Sequence, residues 1–519
     1  MSTLDWWVIG AYLLAMLALA AWLGLRQTDR SDYYLAGNNL PSWALATSIV
    51  ATQCSTNSLL GAPAFVGFVS AGGMLWLQYE LAVPLAMLVL CAGFMPLRRA
   101  RVISIYAFLE QRLGLASRLL ASACFLFFRA VATGVTVYGA ASIIELISGI
   151  SFSVAIALLM GITIVYDLLG GIRAVVISDV VQMFLLLSAV VLALCWLQQP
   201  LLDHYAQLSE AGRTQTLVND WGLRSGNNYG FWPMLFGGLF LYVAYYGCDQ
   251  SQAQRLLSAG NVEQTQRVLT LNSLLRFPLV LSYCLLGLGL AAYAIEHPDF
   301  TASLPLTQAG EPNYNLVFPA FVQREFAAGL AGLTMVGLFA AAMSSIDSAL
   351  NSLSASTVED FIARFSHLSE RQLFLYAKLT TLFWGVFAVL LSYQVEHIAP
   401  TVLEAINKIG SMANGPLLAL FSVAVVIPGA GQKAAITGFA AGLVSNLTVA
   451  LLLPQISWLW WNIIGFGAGI STALVVALTQ GRPLRVHRHD LHIHRRYVLL
   501  LLGMAALIVT VCLSIQYAA

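Results

Sequence analysis

The chain has 519 residues, of which 59% are hydrophobic and 9% charged, with a net charge of +1 and a mean hydropathy of +0.79. Soluble globular proteins carry roughly 25% charged residues, so this composition excludes a soluble enzyme or binding module and specifies an all-α polytopic membrane protein. Seven scattered cysteines with no CxxC pair imply neither a disulfide framework nor a zinc site.

Apolar runs of about 20 residues, the length that crosses a bilayer as a helix, recur along the chain. They fall near 5–25, 42–69, 73–97, 119–146, 150–169, 174–197 and 231–254. Seven more follow near 268–295, 326–357, 371–394, 399–428, 432–453, 457–479 and 497–517. The first run has no basic leader and no small-residue cleavage site, and reads as a retained helix. Fourteen helices are therefore expected, and the basic residues test that count. With the N-terminus outside, nineteen of the 25 Lys and Arg fall in inward loops or at inner helix ends. Arg213, Arg224 and Arg324 fall outward, and Arg129, Arg276 and Lys408 lie within helices. The positive-inside rule then places both termini outside the cytoplasm, in the plasma (cell inner) membrane. Segments 198–230 and 296–325 are long enough to form caps. No soluble appendage is expected beyond the last run.

Polar groups inside these runs mark candidate sites, because hydrocarbon makes them costly unless they line a cavity or hold an ion. In the second run, residues 51–58 (ATQCSTNS) precede Leu60-Gly61-Ala62-Pro63. An unwound turn there frees backbone carbonyls; a continuous helix packed through its small residues is the plainer reading. Gln78 and Glu80 lie in the third run and Arg129 in the fourth. Arg129 is either a structural ion pair with Glu80 or Glu145 or a clamp for an anionic substrate. Asp179 lies one to two turns into its helix, where a carboxylate is protonated, salt-bridged or cation-bound. The seventh run is interrupted in the same way as the second, at Tyr245 to Arg255. This spacing suits two inverted repeats of five helices. Next comes Ser344-Ser345-Ile346-Asp347-Ser348, where Ala341, Ser344, Ser345 and Ser348 share one helical face and offer oxygens to a small hard cation. Glu404, Asn407 and Lys408 fall in the eleventh run. The loop 482–496 carries His487, His489, His492 and His494 and reads as a basic loop facing anionic lipid rather than a metal site.

Four stretches carry a resemblance: residues 32–38 (DYYLAGN), Asp167 to Gln182, Gln250 to Arg255, and Ser344 to Ser352 with residues 357–360 (TVED). In that order they look like the sodium:solute symporter family, over about residues 5–430. The resemblance implies a LeuT-type 5+5 inverted-repeat core within about fourteen helices. That core spans 42–428, with an extra helix at 5–25 and three more within 432–519. It implies a sodium-coupled symporter working by alternating access, with sodium, a small-molecule solute and the bilayer as partners, and neither an organic cofactor nor a nucleic acid. By position, the family's sodium site maps onto the carbonyls of Ala51, Cys54 and Ala341 and the hydroxyls of Ser344 and Ser345. A second site maps onto Asp179, Ser344, Asp347 and Ser348. The family pattern has a small polar residue where this chain has Asp347; the extra carboxylate either strengthens cation binding or shares a proton. Substrate contacts carry over to Gln53, Ser55, Ser58, Gln78, Glu80, Tyr245, Tyr246 and Asn407. Sialic-acid members place an arginine in the fourth helix, about one turn after Arg129, which is the candidate here. Residues 351–360 and 133–138 look closest to the monocarboxylate, vitamin and iodide branch, so an organic anion is the first expectation.

Two transport or signalling alternatives stand beside this reading, a proton-coupled symporter and a transporter-like membrane sensor. A sensor would carry a cytosolic signalling domain, and none is expected after the last run. An intramembrane enzyme would show a metal motif or a nucleophile with its base, and neither occurs.

Overall fold

The computed structural model describes residues 2–25, 30–54, 56–70, 72–218, 220–223, 229–307, 310–395, 402–482, 484 and 493–517, without the side chains of 56, 57 and 402–407. Ser55, the side chain of Asn407, Arg224, His487, His489 and His492 lie outside the described residues. Those described are almost all helical.

In chain order the principal helices are α1 (Thr3–Gly24), α2 (Ser42–Gln53), α3 (Thr56–Phe68), α4 (Trp76–Glu80) and α5 (Ala82–Gly93). They continue with α6 (Leu115–Ser148), α7 (Phe152–Glu210), α8 (Gly238–Cys248), α9 (Gln250–Leu257), α10 (Val262–Glu296) and α11 (Leu330–Ser356). The last five are α12 (Glu370–Val395), α13 (Val402–Val426), α14 (Gly431–Leu452), α15 (Trp458–Thr479) and α16 (Arg495–Tyr517). By length and composition, 11 helices among the described residues are apolar enough to cross a membrane. The count of fourteen runs differs because some are broken and two belong to one element.

That element is α7, whose backbone leaves the helical region at Gly171 (φ 53, ψ −164). Phe152, at its start, packs against Tyr393 near the end of α12. Trp196, further along, packs against Phe326, just before α11. α11 and α12 are joined at their other ends, where Arg30 bridges Glu359 and Glu370. Both arms of α7 therefore lead away from Gly171 toward the same side, and the chain turns back there. Glycine supplies the positive φ that this reversal needs. The runs expected at 150–169 and 174–197 are the two arms. The second arm remains helical as far as Glu210, into the segment expected to start a cap.

The interrupted runs break at single residues. α2 ends at Cys54 (φ −87, ψ 57), and α3 then runs through Pro63. The break thus precedes the Gly61–Pro63 position marked in the sequence. Pro63 is tolerated because α10 packs tightly beside it: a Cβ on Gly287 would lie 2.8 Å from the Pro63 backbone. α8 ends at Asp249 (φ −95, ψ 122), whose side chain caps α9 by accepting from the Ser251 amide at 2.8 Å.

The polar helix is the innermost. The apolar window of α11 is 83% buried, against 22% for α16 and 28% for α1, α14 and α15. Lipid-exposed faces take leucine and phenylalanine freely, whereas serine, aspartate and asparagine face other helices. Arg213 closes one end by donating to the Val66 and Val69 carbonyls at the end of α3, and Thr216 donates to the Cys512 carbonyl of α16 at 2.6 Å. All seven cysteines are free.

α14 and α15 touch through glycine. A Cβ on Gly442 would lie 2.4 Å from the Gly465 carbonyl oxygen, and one on Gly438 2.4 Å from that of Gly469. Gly442→Val is expected to separate these helices and destabilise the protein by about 1–3 kcal/mol. A lowered melting temperature by size-exclusion thermal challenge checks this, and an unchanged one refutes it.

Candidate functional site

The break after α2 faces the serine stripe of α11. The Ser345 hydroxyl lies 3.2 Å from the Thr52 carbonyl and 3.4 Å from the Ala341 carbonyl. Cys54 is buried, and its carbonyl accepts from the Tyr283 hydroxyl at 3.4 Å. Ala51 is also buried, three residues before the end of the same helix. Helix carbonyls at a broken end lack their intrahelical donors. Beside two serine hydroxyls they offer neutral oxygen ligands suited to a small hard cation. Among the described residues no group of three or more His, Cys, Asp or Glu is placed to hold a metal ion.

One turn along α11 the polar groups become charged. Asp179 accepts from Ser344 at 2.6 Å, from Ser48, and from Arg255 at 3.1 Å. Arg255 also donates to Ser48 at 2.5 Å, to the Ser251 carbonyl at 2.6 Å, and to Ser348. Ser348 in turn reaches Asp347 at 3.2 Å. The four residues of the expected second sodium site are thus brought together, with the Arg255 guanidinium among them. Asp347 is fully buried, and its Oδ2 has no hydrogen-bond partner among the described residues. Asp167, also fully buried, accepts from the Asn351 amide at 3.3 Å, and its Oδ2 is likewise unpartnered among the described residues. Asp179 and, through Ser348, Asp347 are therefore gathered about one guanidinium, two carboxylates for one fixed positive charge, which a bound cation or a shared proton balances.

A cavity of about 190 Å³ opens next to Ser345. Gln53, Ser58, Arg129 and Tyr245 line it, as expected from the sequence. Tyr246 does not; its hydroxyl donates to Gln53. Gln78 and Glu80 also turn away. Gln78 donates to the Tyr229 carbonyl at 2.8 Å, and both Glu80 oxygens are held by Arg276 at 2.8 Å. The face presented by α4 is instead Trp76 and Tyr79, three residues apart.

Arg129 has neither of its expected partners. It pairs with Asp249 and donates to Ser251 at 2.7 Å, while Glu80 serves Arg276 and Glu145 accepts from the Phe152 amide at 3.0 Å. Sequence reasoning also passed over Ser48, Thr52, Arg255 and Trp458. Ser48 and Thr52 carried a readable signal, since they lie four apart on one face of α2, six and two residues before the break at Cys54. Arg255 was read as a basic residue at an inner helix end, yet it is 1% exposed. The signal against that reading was its position six residues after the interruption at Asp249.

A profile of the sodium:solute symporter family matches residues 33–442. A putative sodium-dependent multivitamin transporter of Drosophila melanogaster is 28% identical over 90% of this chain and 76% of its own length. The sodium/sialic acid symporter SiaT of Proteus mirabilis is 27% identical over 93% of this chain and 95% of its own. The solved substrate-bound, outward-open structure of a Na+-coupled sialic acid symporter superposes with a TM-score of 0.83. It is 25% identical and covers 92% of this chain and 98% of its own. These proteins are membrane transporters, not enzymes. With the family profile spanning four-fifths of its length, this chain belongs to the sodium:solute symporter family.

Proposed function

We propose that the protein is a sodium-coupled secondary active symporter that imports a small polar solute, an organic anion, by alternating access. The observation that carries this reading is the Ser345 hydroxyl at the carbonyl end of α2, beside a cavity that contains Arg129. Sodium is cargo here, bound by the carbonyls of Ala51, Cys54 and Ala341 and the hydroxyls of Ser344 and Ser345. Asp179, Ser344, Asp347 and Ser348 form a second seat, which Arg255 must leave before a second sodium can bind. The excess carboxylate charge supports a cation there, and the unpartnered Asp347 oxygen is its natural ligand. Residues 42–428 form the ten-helix core, and the interruptions at Cys54 and Asp249 suit the first members of its two inverted repeats. Both termini lie outside the cytoplasm, in the plasma (cell inner) membrane. The names of the relatives support an anionic solute, since sialic acid carries a carboxylate.

A monovalent anion entering with one sodium ion moves no net charge, so a potential of 100 mV adds about 2.3 kcal/mol only when a second sodium accompanies them, which then supports roughly a further 50-fold gradient. Uptake of a radiolabelled carboxylate into proteoliposomes tests the coupling. An inward sodium gradient is expected to raise the rate at least tenfold, and potassium substitution to abolish the gain. Uptake that ignores sodium and is abolished by a protonophore refutes sodium coupling in favour of proton coupling.

A further inference from the structure

The Arg129–Asp249 pair stands where two cavities meet. Besides the cavity of about 190 Å³, a second of about 120 Å³ lies against α6, α8 and α13, and both are lined by Arg129, Ala132, Leu241 and Tyr245. Arg129 reaches Asp249 and Ser251 through Nη2 and lies 5.7 Å over the Tyr245 ring. The two side chains are 17% and 19% exposed; Arg129 lines both cavities and Asp249 the smaller one, so a solute in either cavity can reach Arg129. The other guanidinium on the larger cavity, Arg276, is clamped by both oxygens of Glu80. An entering anion therefore has Arg129 as its partner, and Asp249 already holds that seat.

Asp249 is built to give it up. Oδ2 serves Arg129, whereas Oδ1 accepts from the Ser251 amide at 2.8 Å and the Ser251 hydroxyl at 2.5 Å. Without Arg129 the carboxylate remains the N-cap of α9, where backbone N–H groups and the helix dipole favour a negative charge. We propose that Asp249 is an internal competitor for the substrate's carboxylate on Arg129, and that only an anionic solute displaces it and parts the junction between the cavities. A neutral analogue cannot repay the lost ion pair, so Asp249 determines specificity by exclusion. The same helix carries Arg255, which is bound to Asp179 and Ser348, so release at the start of α9 is transmitted to the charged cluster beside the serine stripe. This inference rests on the organic-anion reading.

The test uses the purified full chain in sodium, with thermal stabilisation as readout, and probes paired as a carboxylate with its neutral mate. These are nicotinate with nicotinamide, benzoate with benzamide, lactate with lactamide, and sialic acid with its methyl ester. At least one carboxylate is expected to stabilise the wild type while its mate does not. Asp249→Asn should bind that carboxylate about three- to tenfold more tightly, as removal of one partly exposed competing pair implies, and Arg129→Gln should lose it. Asp249→Ser keeps a capping oxygen without the charge and should behave like Asp249→Asn. Equal or weaker carboxylate binding in the Asp249 variants overturns the competition and leaves the anion reading intact, and unfolding of both variants overturns it too. If carboxylates and neutral mates bind alike, or no carboxylate stabilises the wild type, the anion reading falls and the competition with it.

Discussion

Arg276→Met is expected to remove most of the folded protein. Glu80 is fully buried, and Arg276 donates to its two oxygens at 2.8 Å while also donating to the Tyr242 hydroxyl at 2.7 Å. The guanidinium stands 4.8 Å over the Tyr242 ring, so its departure also opens a packing defect. Breaking a buried pair from one side leaves a charge with no partner and costs about 3–5 kcal/mol, a large fraction of the stability of a typical domain. Replacing both partners by apolar residues of similar volume removes that penalty. The double variant Glu80→Leu/Arg276→Met should therefore melt close to the wild type and well above Arg276→Met. Melting curves of the three proteins decide the matter. If Arg276→Met is as stable as the wild type, the pair does not hold α4 to α10. The same comparison separates structure from recognition, because a Glu80 that contacted substrate would lose transport in the stable double variant through binding alone.

The second large effect falls on sodium. Ser345→Ala removes the hydroxyl between the Thr52 and Ala341 carbonyls and changes little else, since among the described residues its hydroxyl donates to neutral carbonyls alone. Sodium affinity is expected to fall about tenfold or more, the equivalent of roughly 1.4 kcal/mol for one lost ligand. Asp179→Asn keeps the shape of the side chain and its contacts with Ser48 and Ser344 but removes the charge. It is expected to reduce sodium-driven transport at least as strongly, because the carboxylate excess that attracts a cation shrinks. Asp179→Ala is a harsher change, because it also removes the oxygen that accepts from the buried Arg255. The sodium dependence of initial uptake rates, measured with the amount of folded protein, reads both effects. Normal sodium affinity in both Ser345→Ala and Asp179→Asn overturns the placement of the cation.

Arg255 separates what a sequence pattern can say from what packing adds. Its neighbours in the chain, polar and near an expected helix end, made it resemble the other inward basic residues. Its partners Asp179 and Ser348 are 76 and 93 residues away in the chain, on other helices. The α4 register tells the same story in smaller compass. Successive residues on a helix are turned by about 100°, so the rotation of α4 brings Trp76 and Tyr79 to the cavity and sends Gln78 and Glu80 elsewhere. Nothing in the local sequence distinguishes these rotations, since all four residues suit a buried helix in a transporter.

The sequence by itself determined the membrane class and the apolar helical character of the chain, and it marked the polar residues of the candidate site. The physical reason is that a bilayer demands about 20 apolar residues per span and penalises each unexplained polar group. Ser344, Ser345, Asp179, Arg129 and the interruptions near Cys54 and Asp249 were legible on those grounds, as was the family resemblance. Only the tertiary structure decided which partner each charge takes: Arg276 for Glu80, Asp249 for Arg129, and Arg255 for Asp179. It also showed the chain turning back at Gly171 and breaking at Cys54 rather than at Pro63. Ion pairs of this kind form over a few ångströms between helices remote in the chain, and helix rotation and crossing set those distances rather than composition or spacing.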